Sequence, residues 1–187
     1  MRIRALADET MGIFEKFCTY RETVNEYGST GGAEWIAHVL NAKKWFVEMV
    51  EFDQGPRKRL NIGYTFGHVR KSATELAIQH GIAINVGVLA ALTPPLSHQG
   101  VLEARLAGKC LSLLAPVSKG FRSVIESFSV KKLEEAFLGG KKRSSQELQL
   151  ILSRQGTLRV IDVERNDREI AVMVEVLGKA LEMVQAG

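Results

Sequence analysis

Leu60-Asn61-Ile62-Gly63-Tyr64-Thr65-Phe66-Gly67-His68 is the stretch on which the reading of this chain turns. Its two glycines bracket the start of a helix predicted over about residues 64–79. A helix N-terminus presents unpaired N–H groups and the positive end of the backbone dipole, and both suit an anion. Arg57 and Asn61 stand just before that terminus, where a phosphate or carboxylate could meet them. The same residues also read as an exposed basic loop with turn glycines, and composition does not choose between the two. His68 follows Tyr64 by four residues, which puts both on one helical face. His80 stands before Gly81 at the start of the next helix. Histidines on two helices can converge on a metal or a substrate, whereas a lone histidine is as readily a hydrogen-bonded structural residue.

Outward from this stretch the apolar spacing is mostly helical. Helices are predicted over about residues 5–26 and 33–51, the second ended by Gln54-Gly55-Pro56. Residues 82–92 are apolar nearly all round and predict a buried helix. Thr93-Pro94-Pro95 predicts a turn, and Ser97 or His98 starts a helix to about Leu114. Short helices are expected over 121–127 and 130–138. The period then changes: Leu148, Leu150 and Leu152 alternate with polar residues, as do Leu158, Val160 and Asp162, with Gln155-Gly156 between. That is the pattern of a β-hairpin near residues 147–163. An amphipathic helix over about 167–184 closes the chain, capped by Asn166 or Asp167. The expected architecture is therefore one domain over 1–187, mainly α with a single hairpin.

Composition excludes several classes. Hydrophobic residues make up 45% of the 187 and charged residues 25%, which favours a packed globular domain over a disordered chain. A net charge of +4 suits a phosphate-bearing small molecule without requiring one, and no basic run points to nucleic acid. Cys18 and Cys110 are isolated in apolar helical contexts, so neither a disulfide framework nor a finger-type zinc site is expected. The start of the chain does not read as a signal peptide, and no stretch is long and apolar enough for a membrane span. A cytoplasmic protein without membrane partners is the expectation. Met11, Met49, Met173 and Met183 occupy helical positions and read as packing residues.

The central stretch resembles the L-N-x-G-H-T-x-G-H pattern of 3-dehydroquinate synthases and related sugar-phosphate cyclases. His80-Gly81-Ile82-Ala83 falls where that family has H-G-E-A. Gly55-x-Arg57 matches a G-x-R before the motif, Lys43 matches a family lysine, and Gly140-Lys141-Lys142 is similar to the family's D-K-K. The similarity covers about residues 33–163. It implies the C-terminal, mostly helical domain of such an enzyme, which supplies most substrate contacts, while NAD is held in an N-terminal α/β domain and a divalent metal, usually zinc, lies at the cleft. Family members oxidise a hydroxyl, eliminate phosphate, reduce the ketone again and close a carbocycle, as carbon–oxygen lyases. Carried over, Lys43, Arg57, Asn61 and one or both of Lys141 and Lys142 would face the substrate. His68 would be the catalytic, proton-handling residue beside it, and His80 a metal ligand.

The chain also departs from that pattern. The family's metal-binding histidine is Tyr64, the glutamate of H-G-E is Ile82, and the glutamate after G-H-A is Lys71. A neutral phenol is a poor zinc ligand, and a cation in place of a carboxylate disfavours a divalent ion. The third family ligand and the nucleotide-binding domain have no counterpart, and no G-x-G-x-x-G occurs. Three function classes follow. One is a cyclase-like domain that is incomplete alone and keeps part of a phosphorylated-sugar pocket. A second is a subunit of a split, active cyclase whose NAD-binding chain is a separate partner. A third is a non-catalytic binding or regulatory module that keeps an anion pocket at Arg57, Asn61 and His68 for a phosphorylated ligand. Association with a nucleotide-domain chain, or as a homodimer, belongs with the first two.

Overall fold

The computed structural model describes residues 37, 58, 61–75, 77–97, 100–118, 129–139, 147–154 and 157–186. Within them the chain is mainly helical with one hairpin. In order come α1 (Tyr64–Ala73), α2 (His80–Leu92), α3 (Val101–Ser118), α4 (Val130–Gly139), β1 (Glu147–Arg154), β2 (Thr157–Glu164) and α5 (Asp167–Ala186). The helices expected over 5–26, 33–51 and 121–127 lie outside the described residues.

α2 is the axis of the core. Its run HGIAINVGVLAAL carries no charged side chain, and Ala83, Val86 and every residue from Gly87 to Leu92 are buried. Only a helix packed on several sides can be apolar all round, and α2 lies against α1, α3, α5 and β1. It begins at His80, two residues ahead of the expected start. α5 is the amphipathic counterpart. Ile170, Met173, Val174, Leu177, Leu181 and Val184 recur at helical spacing and are buried, while Glu175 and Lys179 pair on the outer face at 2.6 Å. Asn166 rather than Asp167 caps it: the Asn166 side-chain oxygen accepts the Glu169 N–H at 2.9 Å.

The hairpin has the expected register, with Arg154 opposite Thr157 and Leu150 opposite Ile161. Leu148, Leu150 and Leu152 face the core, as the alternation requires. Asp162 stays exposed and accepts a 2.8 Å hydrogen bond from Gln149, its cross-strand partner. Toward its end β1 is covered on both faces. Ser153 is fully buried, donates to the carboxylate of buried Glu103 at 2.6 Å and accepts from Ser97 at its carbonyl. Those bonds satisfy groups whose burial would otherwise be costly.

Boundaries of α1 and α3 also differ from expectation. α1 stops at Ala73, not near residue 79, because the Thr74 hydroxyl bonds back to the Arg70 carbonyl at 3.0 Å and Glu75 turns to φ 52°. α3 starts after Gly100 rather than at residue 97 or 98, because Leu96 and Ser97 N–H groups both fold back onto the Thr93 carbonyl in the proline turn. It also runs past Leu114 to Ser118, through Pro116. Cys110 is buried in the core, and of the methionines Met173 is buried and Met183 packs against the core.

Candidate functional site

Three side chains from two helices meet at one place. Tyr64 is the first residue of α1, His68 lies one turn on, and His80 is the first residue of α2. Their rings form a near-equilateral triangle: 5.7 Å from Tyr64 to His68, 5.8 Å from Tyr64 to His80 and 5.5 Å from His68 to His80. All three are exposed. Lys71, one turn beyond His68 and half-buried, lies on the same face of α1.

Glycines hold the triangle in place. Gly63 caps α1 with φ 77°, a left-handed conformation that other residues adopt only with strain. A Cβ built on Gly63 would lie 2.7 Å from the Gly87 carbonyl carbon and closer still to the Val88 nitrogen. One on Gly67 would lie 2.9 Å from the Ala83 oxygen, and one on Gly87 would lie 2.8 Å from the Gly67 nitrogen. α1 and α2 therefore approach backbone to backbone, antiparallel, with the end of the Ile84 side chain also against Gly67. The sequence reading gave Gly63 and Gly67 to the helix start and missed this second role. Its signal was available in Gly87, a lone glycine in a helix where it costs about 1 kcal/mol against alanine unless close approach requires it. Two further contacts fix α1: Thr65 donates to the Gln149 carbonyl on β1 at 2.8 Å, and Phe66 meets Phe137 of α4 edge to face at 6.1 Å.

His68 is held below the ordinary histidine range, first by the desolvation of its charged form and then by His80 and Lys71. Neither α1 (YTFGHVRKSA) nor α2 (HGIAINVGVLAAL) contains an aspartate or glutamate. Ile82, which stands where the resemblance implies a glutamate, packs against the hydrophobic core. Arg70 is buried on the opposite side of α1, and desolvation lowers its pKa.

Of the residues singled out in the sequence, His68, His80 and Tyr64 come together. Asn61 is half-buried in the turn that leads into α1. Lys43, Arg57, Lys141 and Lys142 lie outside the described residues. A zinc site of the kind the resemblance implies does not fit the donors present. Among the described residues no three His, Cys, Asp or Glu side chains stand close enough to share an ion. The triangle itself offers two imidazoles and a phenol beside an ammonium group.

Comparison with known proteins agrees with the motif. The family described as 3-dehydroquinate synthase C-terminal matches residues 4–143. A 3-dehydroquinate synthase of Streptococcus pyogenes is 25% identical over 162 residues, 86% of this chain and 45% of that protein. One from Campylobacter jejuni is 30% identical over 123 residues, 63% of this chain and 33% of its own length. A protein named putative aminodehydroquinate synthase, from Amycolatopsis mediterranei, is 41% identical over 56 residues, 30% of this chain and 16% of its own. The chain thus spans less than half the length of these relatives.

Proposed function

The chain belongs to the 3-dehydroquinate synthase C-terminal family, and on that premise we propose that it is a cyclase-like domain which does not perform the family reaction by itself and keeps part of a pocket for a phosphorylated sugar. One observation carries this reading. The backbone contact of α1 and α2 sets residues 64 and 80 side by side, yet the ring at 64 is a phenol and the neighbouring charge at 71 is positive. The frame is kept and the ligand chemistry is altered. A catalytic zinc ordinarily takes three protein ligands and lowers the pKa of its bound water; here only His80 has the ligand type that the resemblance implies. NAD would supply the hydride chemistry in a complete cyclase, and none of these 187 residues forms a glycine-rich nucleotide loop of the G-x-G-x-x-G kind.

What the chain's own residues do in this reading is bind and orient. Arg57, Asn61 and Lys43, with Lys141 or Lys142, take the phosphate and hydroxyl groups of the ligand, and His68 donates or accepts a proton at its ring nitrogens beside it. We place the protein in the cytoplasm, with a phosphorylated small molecule as its partner. No helix among the described residues is long and apolar enough to cross a membrane.

The test is an assay of the purified chain with NAD, zinc and the heptulosonate phosphate substrate of the family reaction. We expect no turnover, together with binding of the sugar phosphate that weakens in Arg57→Ala. Turnover by the chain alone would overturn the reading. Turnover only after a separate NAD-binding chain is added would favour the split-enzyme alternative, for which the exposure of Tyr64, His68 and His80 speaks.

A further inference from the structure

We propose that Tyr64, His68, Lys71 and His80 form a binding site for a phosphate-type oxyanion, at the place where the resemblance implies a divalent cation. This deepens the reading given above and rests on it. The argument is one of sign and of donors. A phenol O–H and two imidazoles converge on one exposed spot, with the three rings 5.5–5.8 Å apart, and Lys71 follows His68 by one turn on the same face of α1. Each of these groups can donate a hydrogen bond, and lysine can do nothing else. A bound cation there would face the Lys71 charge with no carboxylate from either helix to offset it, because α1 and α2 contain none. The position of the lost H-G-E glutamate is occupied by Ile82, whose side chain packs on the core and brings no oxygen. An anion meets the opposite situation. An anion there would offset the Lys71 charge and could accept hydrogen bonds from the donors of the three rings. Gly81 adds access. A Cβ there would meet nothing within 4 Å, so the backbone at the start of α2 is open beside the imidazole of His80.

The site adjoins the pocket assigned to Arg57 and Asn61 and shares His68 with it, and the experiment tells the two apart. Inorganic phosphate is titrated into the full chain while the ring signals of Tyr64, His68 and His80 are followed by NMR at constant pH and ionic strength. A saturable shift of these rings is expected. It should weaken at least about tenfold, roughly 1.4 kcal/mol, in Lys71→Glu and Lys71→Met, and persist in Lys71→Arg. Lys71 is half-buried, and unchanged backbone spectra of the Met variant show that the fold is intact. A parallel titration with a sugar monophosphate identifies the source: tighter binding than inorganic phosphate means an esterified phosphate, and equal binding a free anion. Absence of a saturable ring shift would overturn the proposal. So would a shift that survives Lys71→Met but is lost in Arg57→Ala, which would put the anion in the neighbouring pocket and leave the proposed function standing. Saturable zinc binding at the rings, blocked by His80→Ala, would overturn the anion site by showing a working cation site.

Discussion

Gly87 and Gly81 sit on the same helix and respond oppositely to an added methyl group. At Gly87 the new carbon would meet the backbone of Gly63 and Gly67, and backbone cannot swing aside. Gly87→Ala is expected to cost about 1–3 kcal/mol or more, read as a fall in urea midpoint, and to move His80 away from His68. At Gly81 the space is open. Gly81→Ala should therefore be neutral or stabilising by up to about 1 kcal/mol, the helix-propensity difference. Equal destabilisation at both sites would refute the backbone contact. His68 gives a third residue-scale prediction. Its folded pKa lies below its unfolded value, so the unfolded chain binds the proton more tightly. Stability from this group is complete above the ordinary histidine pKa and is lost as pH falls through the window below it. His80→Ala should raise the His68 pKa part of the way back, as seen in its ring-proton titration. No rise would mean that His80 takes no part and that desolvation and Lys71 account for the lowering.

Among the elements, those with a strong period were legible and those ended by side-chain chemistry were less so. The hairpin followed from the alternation at Leu148, Leu150 and Leu152, and α5 from its apolar stripe and Asn166. Asn166→Ala should cost about 1 kcal/mol, with loss of hydrogen-exchange protection confined at first to the opening turn of α5. Protection lost instead along the whole helix would show that the cap has a tertiary role. The end of α1 could not be read from periodicity, because the Thr74 hydroxyl and the turn at Glu75 stop a helix whose apolar pattern continues to Ile78. The start of α3 was hidden for a similar reason. A proline turn takes up Leu96 and Ser97, and the opening bond of α3 runs from the Ala104 N–H to the Gly100 carbonyl.

For the whole molecule, the order of burial predicts the order of opening. α2 is enclosed by α1, α3, α5 and β1, so its amides from Val86 to Leu92 should exchange only through global unfolding, with α4 and the hairpin edge opening earlier. Faster exchange in α2 than in α4 would contradict the packing. What the sequence could give of the site was the residue types and their spacing along each helix. Spacing alone could not give the meeting of Tyr64 with His80, sixteen positions apart in sequence, because that depends on how closely two helices approach; only the resemblance implied it, by putting both positions at one metal. The approach is set by Gly63, Gly67 and Gly87 acting together. Each of them alone reads as an ordinary turn or helix glycine.

That arrangement separates the scaffold of the site from its contents. Main-chain contacts at Gly63, Gly67 and Gly87, with Thr65 and Phe66 holding α1, locate the three rings, and the rings themselves at 64, 68 and 80 point outward from that frame. Such a place can be refitted without being rebuilt. A designer who wished to install a catalyst on this molecule could exchange the three exposed side chains at 64, 68 and 80 and still know beforehand where each new group would stand.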